Sequence, residues 1–374
     1  MTTLAWKNLF HDKVRLGVTL TGIVFALVLI LVQFGLFLGF LDTSANVVEH
    51  SGAALWIAAP GIPHVNGGAP IPEKRRYKAL AVPGVERVEK LAINFVNWKL
   101  PSGSQESAQI VGFDLQSGMG GPWNLVAGSI EALRGDDTVI VDRLYLEKLG
   151  IRGVGDSVEI NGRRARVVGL TDGIRSFTTA PYIYTSFKNS QNYTQIGEDQ
   201  TFFLLVKAKP GVDLTALKQS LQSTVPDVDV YTNEEMHRKT QGYWVFKTGA
   251  GVTTLMGAIL GLLVGVVVVA QTIYSATVDH IREFGTLKAM GAKNRYIYRV
   301  IVEQAMLAAV MGYIVAVSLG LLVANGSKTG NAIILLPPQM AVGTLGLAIL
   351  MCAAASILSI RKATSIDPAL VFKG

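Results

Sequence analysis

The chain has 374 residues, of which 50% are hydrophobic and only 16% are charged. Soluble domains usually contain about 25% charged residues, so this composition excludes an ordinary soluble protein and indicates a membrane protein. The formal net charge is +7, which is often a sign of nucleic-acid binding. Between residues 43 and 246, however, the 21 basic and 21 acidic residues cancel, and no nucleic-acid partner is expected.

Long stretches without charge predict the membrane-spanning segments. A hydrocarbon core about 30 Å thick needs about 20 apolar residues of helix, and four stretches of this chain are long enough to cross it and to contact membrane lipid. The first apolar run exceeds the usual signal-peptide core of about 7–15 residues, which favours an anchor over a cleaved leader. The predicted spans are 16–42, 247–277, 299–324 and 338–360, with a large polar domain at residues 43–246.

The excess of basic residues lies outside that polar domain and predicts the orientation. Eleven basic residues flank the same ends of the spans: Lys7, Lys13, Arg15, Arg282, Lys288, Lys293, Arg295, Arg299, Arg361, Lys362 and Lys373. Cytoplasmic loops are enriched in Lys and Arg. We therefore expect residues 1–15, 278–298 and 361–374 in the cytoplasm, and residues 43–246 and the short loop 325–337 on the outer side.

The polar domain has a mixed α+β pattern. Residues 54–58 read as a strand, residues 72–80 as a short helix, and residues 85–100 and 107–113 as two further strands. Residues 201–208, 213–221 and 228–231 read as a second strand–helix–strand unit. Two such units predict a split ferredoxin-like fold of the porter type. Alternating residues around Asn161-Gly162 predict a hairpin within a small β-rich insertion at about 116–195.

The sequence carries no recognisable motif for catalysis or for metal binding. The single cysteine, Cys352, excludes an intrachain disulfide, and the five histidines lack metal-ligand spacing. The sequence has neither a phosphate-binding G-x-x-x-x-G-K-[ST] motif nor a G-x-S-x-G motif. Glu303 is the one charge well inside a span, and Arg299 lies one helical turn away, which favours a paired structural acid. We expect a protein without catalytic residues, metal or cofactor of its own.

Small residues recur along one face of the second predicted span. Gly257, Gly261 and Gly265 are four residues apart, so they lie on one side of a helix, where another backbone can approach closely. The third span repeats the pattern with Ala308, Gly312, Ala316 and Gly320. These positions predict a helix interface, either within one subunit or between two.

The loop after the second span carries the most specific pattern. Residues 278–295 read VDHIREFGTLKAMGAKNR, an amphipathic helix with Ile281, Phe284, Leu287 and Lys288 on one stripe and Gly291 as its C-terminal cap. Residues 283–292 resemble the E-[FI]-G-[TIV]-L-[KR]-A-x-G-A signature of the MacB/FtsX family of ABC transporter permeases. Residues 5–22 and 361–373 resemble the beginning and the end of those proteins.

The resemblance covers the whole chain and implies a function. It implies a multi-pass protein of the bacterial inner membrane whose loop docks on a cytoplasmic ABC ATPase, with ATP and Mg²⁺ bound by that partner. The coupling residues would be Arg282, Glu283, Phe284, Gly285, Leu287, Lys288 and Gly291. It further implies a homodimer paired through the first and second spans. A periplasmic membrane-fusion adaptor and an outer-membrane channel would complete the assembly.

Because no ATPase is fused to the chain, the resemblance is strongest to the DevC branch, which is associated with export by mechanotransmission. The loops at 61–69 and 118–122 are the expected adaptor contacts. Two alternative functions stay open at this point. One is a Lol-type permease that releases lipoprotein or lipid, and the other is an FtsX-like scaffold that activates cell-wall hydrolases.

Overall fold

The computed structural model describes residues 10, 13–279, 281–328, 330 and 332–364. The predicted N-terminal helix at residues 1–15 and tail at residues 361–374 therefore lie largely outside the described residues. The chain divides into two compact units: Phe40–Gly251 with Thr329–Ala332, and Met1–Gly39 with Val252–Lys328 and Ile333–Gly374.

The described α-helices are, in chain order, α1 (Lys13–Ser44), α2 (Asn46–Glu49), α3 (Arg75–Leu80), α4 (Phe187–Thr194), α5 (Leu214–Thr224), α6 (Asn233–Gly242), α7 (Ala250–Asp279), α8 (Ile281–Ala289), α9 (Asn294–Ser327) and α10 (Pro338–Thr364). Four of them contain segments long and apolar enough to cross a membrane: Leu16–Ser44, Ala250–Ser275, Asn294–Ser327 and Pro338–Ile357.

Two of these helices begin at different residues from those predicted. Helix α9 begins at Asn294 instead of residue 299, so that Arg295 lies on the helix itself and Lys293 directly precedes it. A π-helical turn, Tyr243–Lys247, and Gly249 with φ +77° precede α7. A right-handed α-helix needs a φ near −63°, so the positive φ interrupts the helix, and α7 accordingly begins at Ala250.

The α+β domain contains the strands of the protein. They are β1 (Leu55–Ala58), β2 (Ile71–Pro72), β3 (Val85–Lys99), β4 (Gln105–Phe113), β5 (Leu125–Gly128), β6 (Thr138–Asp142), β7 (Ser157–Ile160), β8 (Arg163–Thr171), β9 (Tyr182–Ser186), β10 (Gln200–Thr201), β11 (Phe203–Ala208) and β12 (Asp229–Thr232). The main sheet has the order β12-β1-β11-β3-β4-β9-β6-β8-β5, with β7 paired to β3 and β8, while β2 and β10 form a separate pair.

The first part of this sheet has a ferredoxin-like order. Strands β1, β3, β11 and β12, with helices α3 and α5 between them, are arranged fourth-first-third-second, which confirms the predicted α+β fold. Asp213 caps α5 by accepting from the Thr215 N–H at 2.9 Å, as its sequence predicts. The predicted helix at 72–80 is shorter, since Ile71 and Pro72 pair with β10 and α3 begins at Arg75.

Two apolar cores lie along the sheet. The first core includes residues of β1, of β11 and of the beginning of β3. The second core includes Trp98, Tyr145, Ile160, Val167 and Ile183. The 15-residue strand β3 contributes to both. Strands β5 to β9 therefore extend the same sheet, through the parallel pairing of β4 with β9. Asn161 and Gly162, both with positive φ, form the predicted two-residue turn between β7 and β8.

Candidate coupling segment and helix interface

Helix α8 carries the residues predicted to couple the protein to an ATPase, and a Schellman motif fixes its C-terminus. The Gly291 N–H donates to the Lys288 carbonyl and the Ala292 N–H donates to the Leu287 carbonyl, each at 3.0 Å. These are the two bonds that define the motif, and Gly291 adopts the left-handed φ of +92° that it requires. The cap therefore sets a fixed end to α8, three residues before the first residue of α9, Asn294.

The described side chains of α8 differ in exposure. Glu283 is exposed, Leu287 and Lys288 are half-buried, and Gly285 is buried. Helix α8 packs against α10 within the membrane unit. The side chains of Arg282 and Phe284 lie outside the described part of the structure. Glu283 thus presents a carboxylate at the surface of a short, capped helix between two membrane-spanning helices.

Glu303, the acidic residue inside the third span, forms an ion pair. Arg299 Nε lies 3.0 Å from Glu303 Oε1, one helical turn away, and the carboxylate side chain is 17% exposed. This i,i+4 geometry confirms the expectation of a paired acid, which points to a structural role at the end of the span.

The glycine face of α7 lies against α1 of the same chain. A Cβ built on Gly257 would lie 3.3 Å from Gln33 Oε1, and one built on Gly261 would lie 3.4 Å from Gln33 Cγ. At Gly265 the nearest atom would be Ile30 Cδ1, at 3.0 Å. Added side chains would force the two helices apart, so these glycines permit close packing of α1 against α7.

The small residues of α9 also face α1. A Cβ on Gly312 would lie 2.6 Å from Ile23 Cγ2, and one on Gly320 would lie 3.2 Å from Leu31 Cδ1. Ile23 and Leu31 are fully or almost fully buried. Helix α1 therefore packs against the small faces of two other helices, and its side chains fill the space that the small residues leave.

Aromatic rings form a cluster in the α+β domain that the sequence analysis missed. The ring centroid of His64 lies 4.2 Å from that of Tyr243 and 4.7 Å from that of Trp244. Phe177 lies 4.5 Å from Trp244 and 5.3 Å from Phe40. These rings come from four distant parts of the chain, so no local pattern could predict the cluster. The sequence did offer one hint of the cluster: Phe40 lies near the end of the first predicted span, and Tyr243 and Trp244 lie just before the second.

The same cluster changes the interpretation of the loop at 61–69. His64, Val65 and Asn66 are each 7% exposed or less, so the middle of this loop is part of the core. The loop residues on either side, Gly61, Pro63, Gly67 and Ala69, are exposed, so an adaptor contact at this loop stays a prediction. Burial lowers the pKa of His64 to about 4, because desolvation penalises the charged imidazolium.

A buried polar network lies next to the cluster. The Asn66 side-chain amide donates to Gln109 Oε1 and to the Tyr182 hydroxyl. Gln109 Nε2 in turn donates to Ser176 Oγ at 3.1 Å, and the Tyr145 hydroxyl accepts from the Ser176 N–H at 3.2 Å. These bonds join β4, β9, two loops and the 3-10 turn Arg143–Tyr145. They pair polar groups that would otherwise be costly to bury, although Asn66 Oδ1 has no partner among the described residues. Among the residues that the structure describes, no group of three His, Cys, Asp or Glu side chains is placed to hold a metal ion.

Comparison with known families identifies the protein. The model for the MacB-like periplasmic core domain matches residues 16–224, more than half of the chain, and the model for the FtsX-like permease C-terminal region matches residues 255–368. The chain belongs to the MacB/FtsX-type permease family. All of α8, the α9 small face and the three glycines of α7 lie within the FtsX-like region.

Similar proteins span the full length of this family member. It is 22% identical over 390 residues to an uncharacterised ABC transporter permease of Mycobacterium tuberculosis strain H37Rv, with 100% of each chain covered. A second permease of that strain is 24% identical over 380 residues, again with full coverage of both chains. A solved structure of the periplasmic region of MacB from Actinobacillus actinomycetemcomitans is also similar. The match covers 50% of this chain and 94% of the MacB chain, with 14% sequence identity and a TM-score of 0.39. Together with the four apolar helices, the family makes this chain a multi-pass membrane protein.

Proposed function

We propose that this permease is the non-catalytic membrane subunit of an ABC transporter, docked through α8 on a cytoplasmic ATPase. The ATPase would bind ATP and Mg²⁺, and this chain would hold no cofactor. The observation that carries the proposal is α8 itself: a short helix with an exposed acid, capped at Gly291 and placed between two membrane-spanning helices. Such a rigid helix suits a groove on a partner protein.

The charge distribution supports the proposed orientation. Arg282 and Lys288 lie on α8, while Lys293, Arg295 and Arg299 follow it. By the positive-inside rule, this segment and both termini face the cytoplasm of a bacterial inner membrane. The α+β domain is then extracytoplasmic.

The packing around α1 supports a route for mechanical transmission. Movement of α8 would displace α7 and α9, whose small faces both pack against α1 through Gly265 and Gly312. Helices α1 and α7 connect directly in sequence to the α+β domain, so they would carry the motion outward. We propose export from the periplasm by this route, in a homodimer that works with a membrane-fusion adaptor and an outer-membrane channel, as in the DevC branch.

Co-purification tests the docking role of α8. Glu283→Lys and Leu287→Asp should each leave the permease inserted in the membrane but abolish recovery of an ABC ATPase from membranes of the native host, together with ATPase activity stimulated by the permease. Glu131→Lys is the matched control, because Glu131 is an exposed acid of the α+β domain, and it should retain the ATPase. Normal recovery and stimulation with both α8 variants would contradict the proposal. Recovery of a cell-wall hydrolase or a released lipoprotein with the complex would favour the scaffold or the Lol-type function instead.

A further inference from the structure

Gln33 is a polar side chain near the middle of the first membrane span. The span Leu16–Ser44 has 29 residues, and Gln33 lies 17 residues after its start and 11 before its end. At about 1.5 Å per residue, some 17 Å of helix separate Gln33 from the nearer end. A glutamine side chain has only two methylene groups, so it is too short to reach the interface in the way that Lys and Arg do.

The amide of Gln33 lies in the groove between α1 and α7. Its Oε1 would be 3.3 Å from a Cβ on Gly257 and its Cγ 3.4 Å from one on Gly261. Gln33 is half-buried, and within the described part of the chain its amide makes no hydrogen bond. Met256, Leu260 and Val264, each one residue before a glycine of α7, are 44–56% exposed. The groove therefore opens at the surface of the membrane unit.

An amide at this depth needs a partner that lipid cannot supply. Hydrocarbon chains offer neither donors nor acceptors, and an unsatisfied polar group there is costly. Backbone groups of the spanning helices are already used within those helices. A glutamine amide has both a donor and an acceptor, so the same residue on a second copy, related by a two-fold axis, satisfies both groups at once.

We infer that Gln33 lies at the interface between two copies of this chain, where the two Gln33 amides hydrogen-bond to each other across the membrane interior. The inference rests on the proposed homodimer and adds the residue that holds it together. It also gives two glycines of α7 a specific role, since the absence of side chains at residues 257 and 261 leaves room beside α7 for the Gln33 amide.

Disulfide crosslinking tests the position of Gln33. In a full-length Cys352→Ala background, which removes the buried native thiol, Gln33→Cys should form a covalent dimer on mild oxidation in native membranes. Leu322→Cys is the control, because Leu322 is a 68% exposed residue of α9, and it should stay monomeric. A dimeric mass in nanodiscs without crosslinking at residue 33 would overturn this inference alone, whereas a monomeric mass would overturn the proposed homodimer as well. Modification of Gln33→Cys by a membrane-impermeant thiol reagent would show that water, and not a second copy, satisfies the amide.

A second variant tests the hydrogen bond. Gln33→Leu keeps the size of the side chain and suits the lipid, so the monomer should insert and fold. Interhelical hydrogen bonds in membranes contribute about 0.6–1.7 kcal/mol, so its dimer dissociation constant should rise about threefold to eighteenfold. Gln33→Asn, which retains the amide, should restore part of the loss. An unchanged or lower dissociation constant for Gln33→Leu would overturn the hydrogen bond.

Discussion

Gly265 of α7 lies directly against Ile30 of α1: a Cβ on the glycine would be 3.0 Å from Ile30 Cδ1. Both residues are buried, and Ile30 belongs to the apolar core of the membrane unit. The absence of a side chain at residue 265 therefore allows an isoleucine to fill the space between the two helices. In the membrane, where no hydrophobic force drives helices together, such dispersion contacts are a main source of association.

Adding side chains on this face should destabilise the membrane unit. The double substitution Gly261→Leu with Gly265→Leu forces α7 away from α1, and overpacking typically costs about 1–3 kcal/mol per site. Gly343→Leu with Gly346→Leu is the matched control, since nothing lies within 4 Å of a Cβ at either position of α10. Thermal unfolding of the purified protein should show a lower transition temperature for the Gly261→Leu, Gly265→Leu variant and an unchanged one for the control variant. Equal transitions for the two pairs would contradict the packing of α7 on α1.

Local sequence signals predicted several elements of this structure. Missing charge predicted the spans, Asp213 predicted the start of α5, and Asn161-Gly162 predicted the turn between β7 and β8. In each of these the physical cause lies within a few neighbouring residues: desolvation of a charge, a side chain that caps a helix, or a backbone with positive φ.

Contacts between distant residues were not predictable in the same way. The spacing of the α7 glycines identified a packing face, but the helix that fills it depends on tertiary structure. Likewise, His64 meets Trp244 across some 180 residues of sequence, and the length of β3 allows it to join two cores. The middle of the loop at 61–69 resembled a polar surface loop because the rings that bury it come from elsewhere in the chain.

The orientation in the membrane can be tested with introduced cysteines. Ser104 in the α+β domain and Asn294 at the start of α9 are both exposed, so thiols there are accessible to reagents on their own side of the membrane. In a Cys352→Ser background, Ser104→Cys should react with an impermeant maleimide in intact spheroplasts, and Asn294→Cys should react only after the membrane is opened. The reverse pattern would show an inverted topology. Asn161 is a poorer site for labelling, because its side chain bonds to Asn97 and Tyr193.

Two tyrosines on β9 should respond in opposite directions to loss of the hydroxyl. The Tyr184 hydroxyl is buried and, within the described residues, has no hydrogen-bond partner, whereas the Tyr182 hydroxyl accepts from Asn66 at 3.3 Å. Tyr184→Phe removes a desolvated polar group and should stabilise the domain by about 1 kcal/mol. Tyr182→Phe breaks a bond and should destabilise it by about the same amount. Thermal unfolding of the two variants measures both changes, and a loss of stability in Tyr184→Phe would show that its hydroxyl has a partner.

His64 should make the stability of the protein depend on pH. Burial lowers the pKa of His64 from 6.5 to about 4 in the folded chain. Between those two values the unfolded chain binds a proton that the folded chain does not. The stability contributed by neutral His64 is thus complete above about pH 6.5 and is lost as the pH falls toward 4, a change on the order of 3 kcal/mol. His64→Phe keeps a ring against Tyr243 and Trp244 but cannot bind a proton. Melting temperatures measured from pH 7.5 to pH 4.5 should therefore fall less steeply for His64→Phe than for the wild type, and parallel curves would show that His64 does not titrate on unfolding.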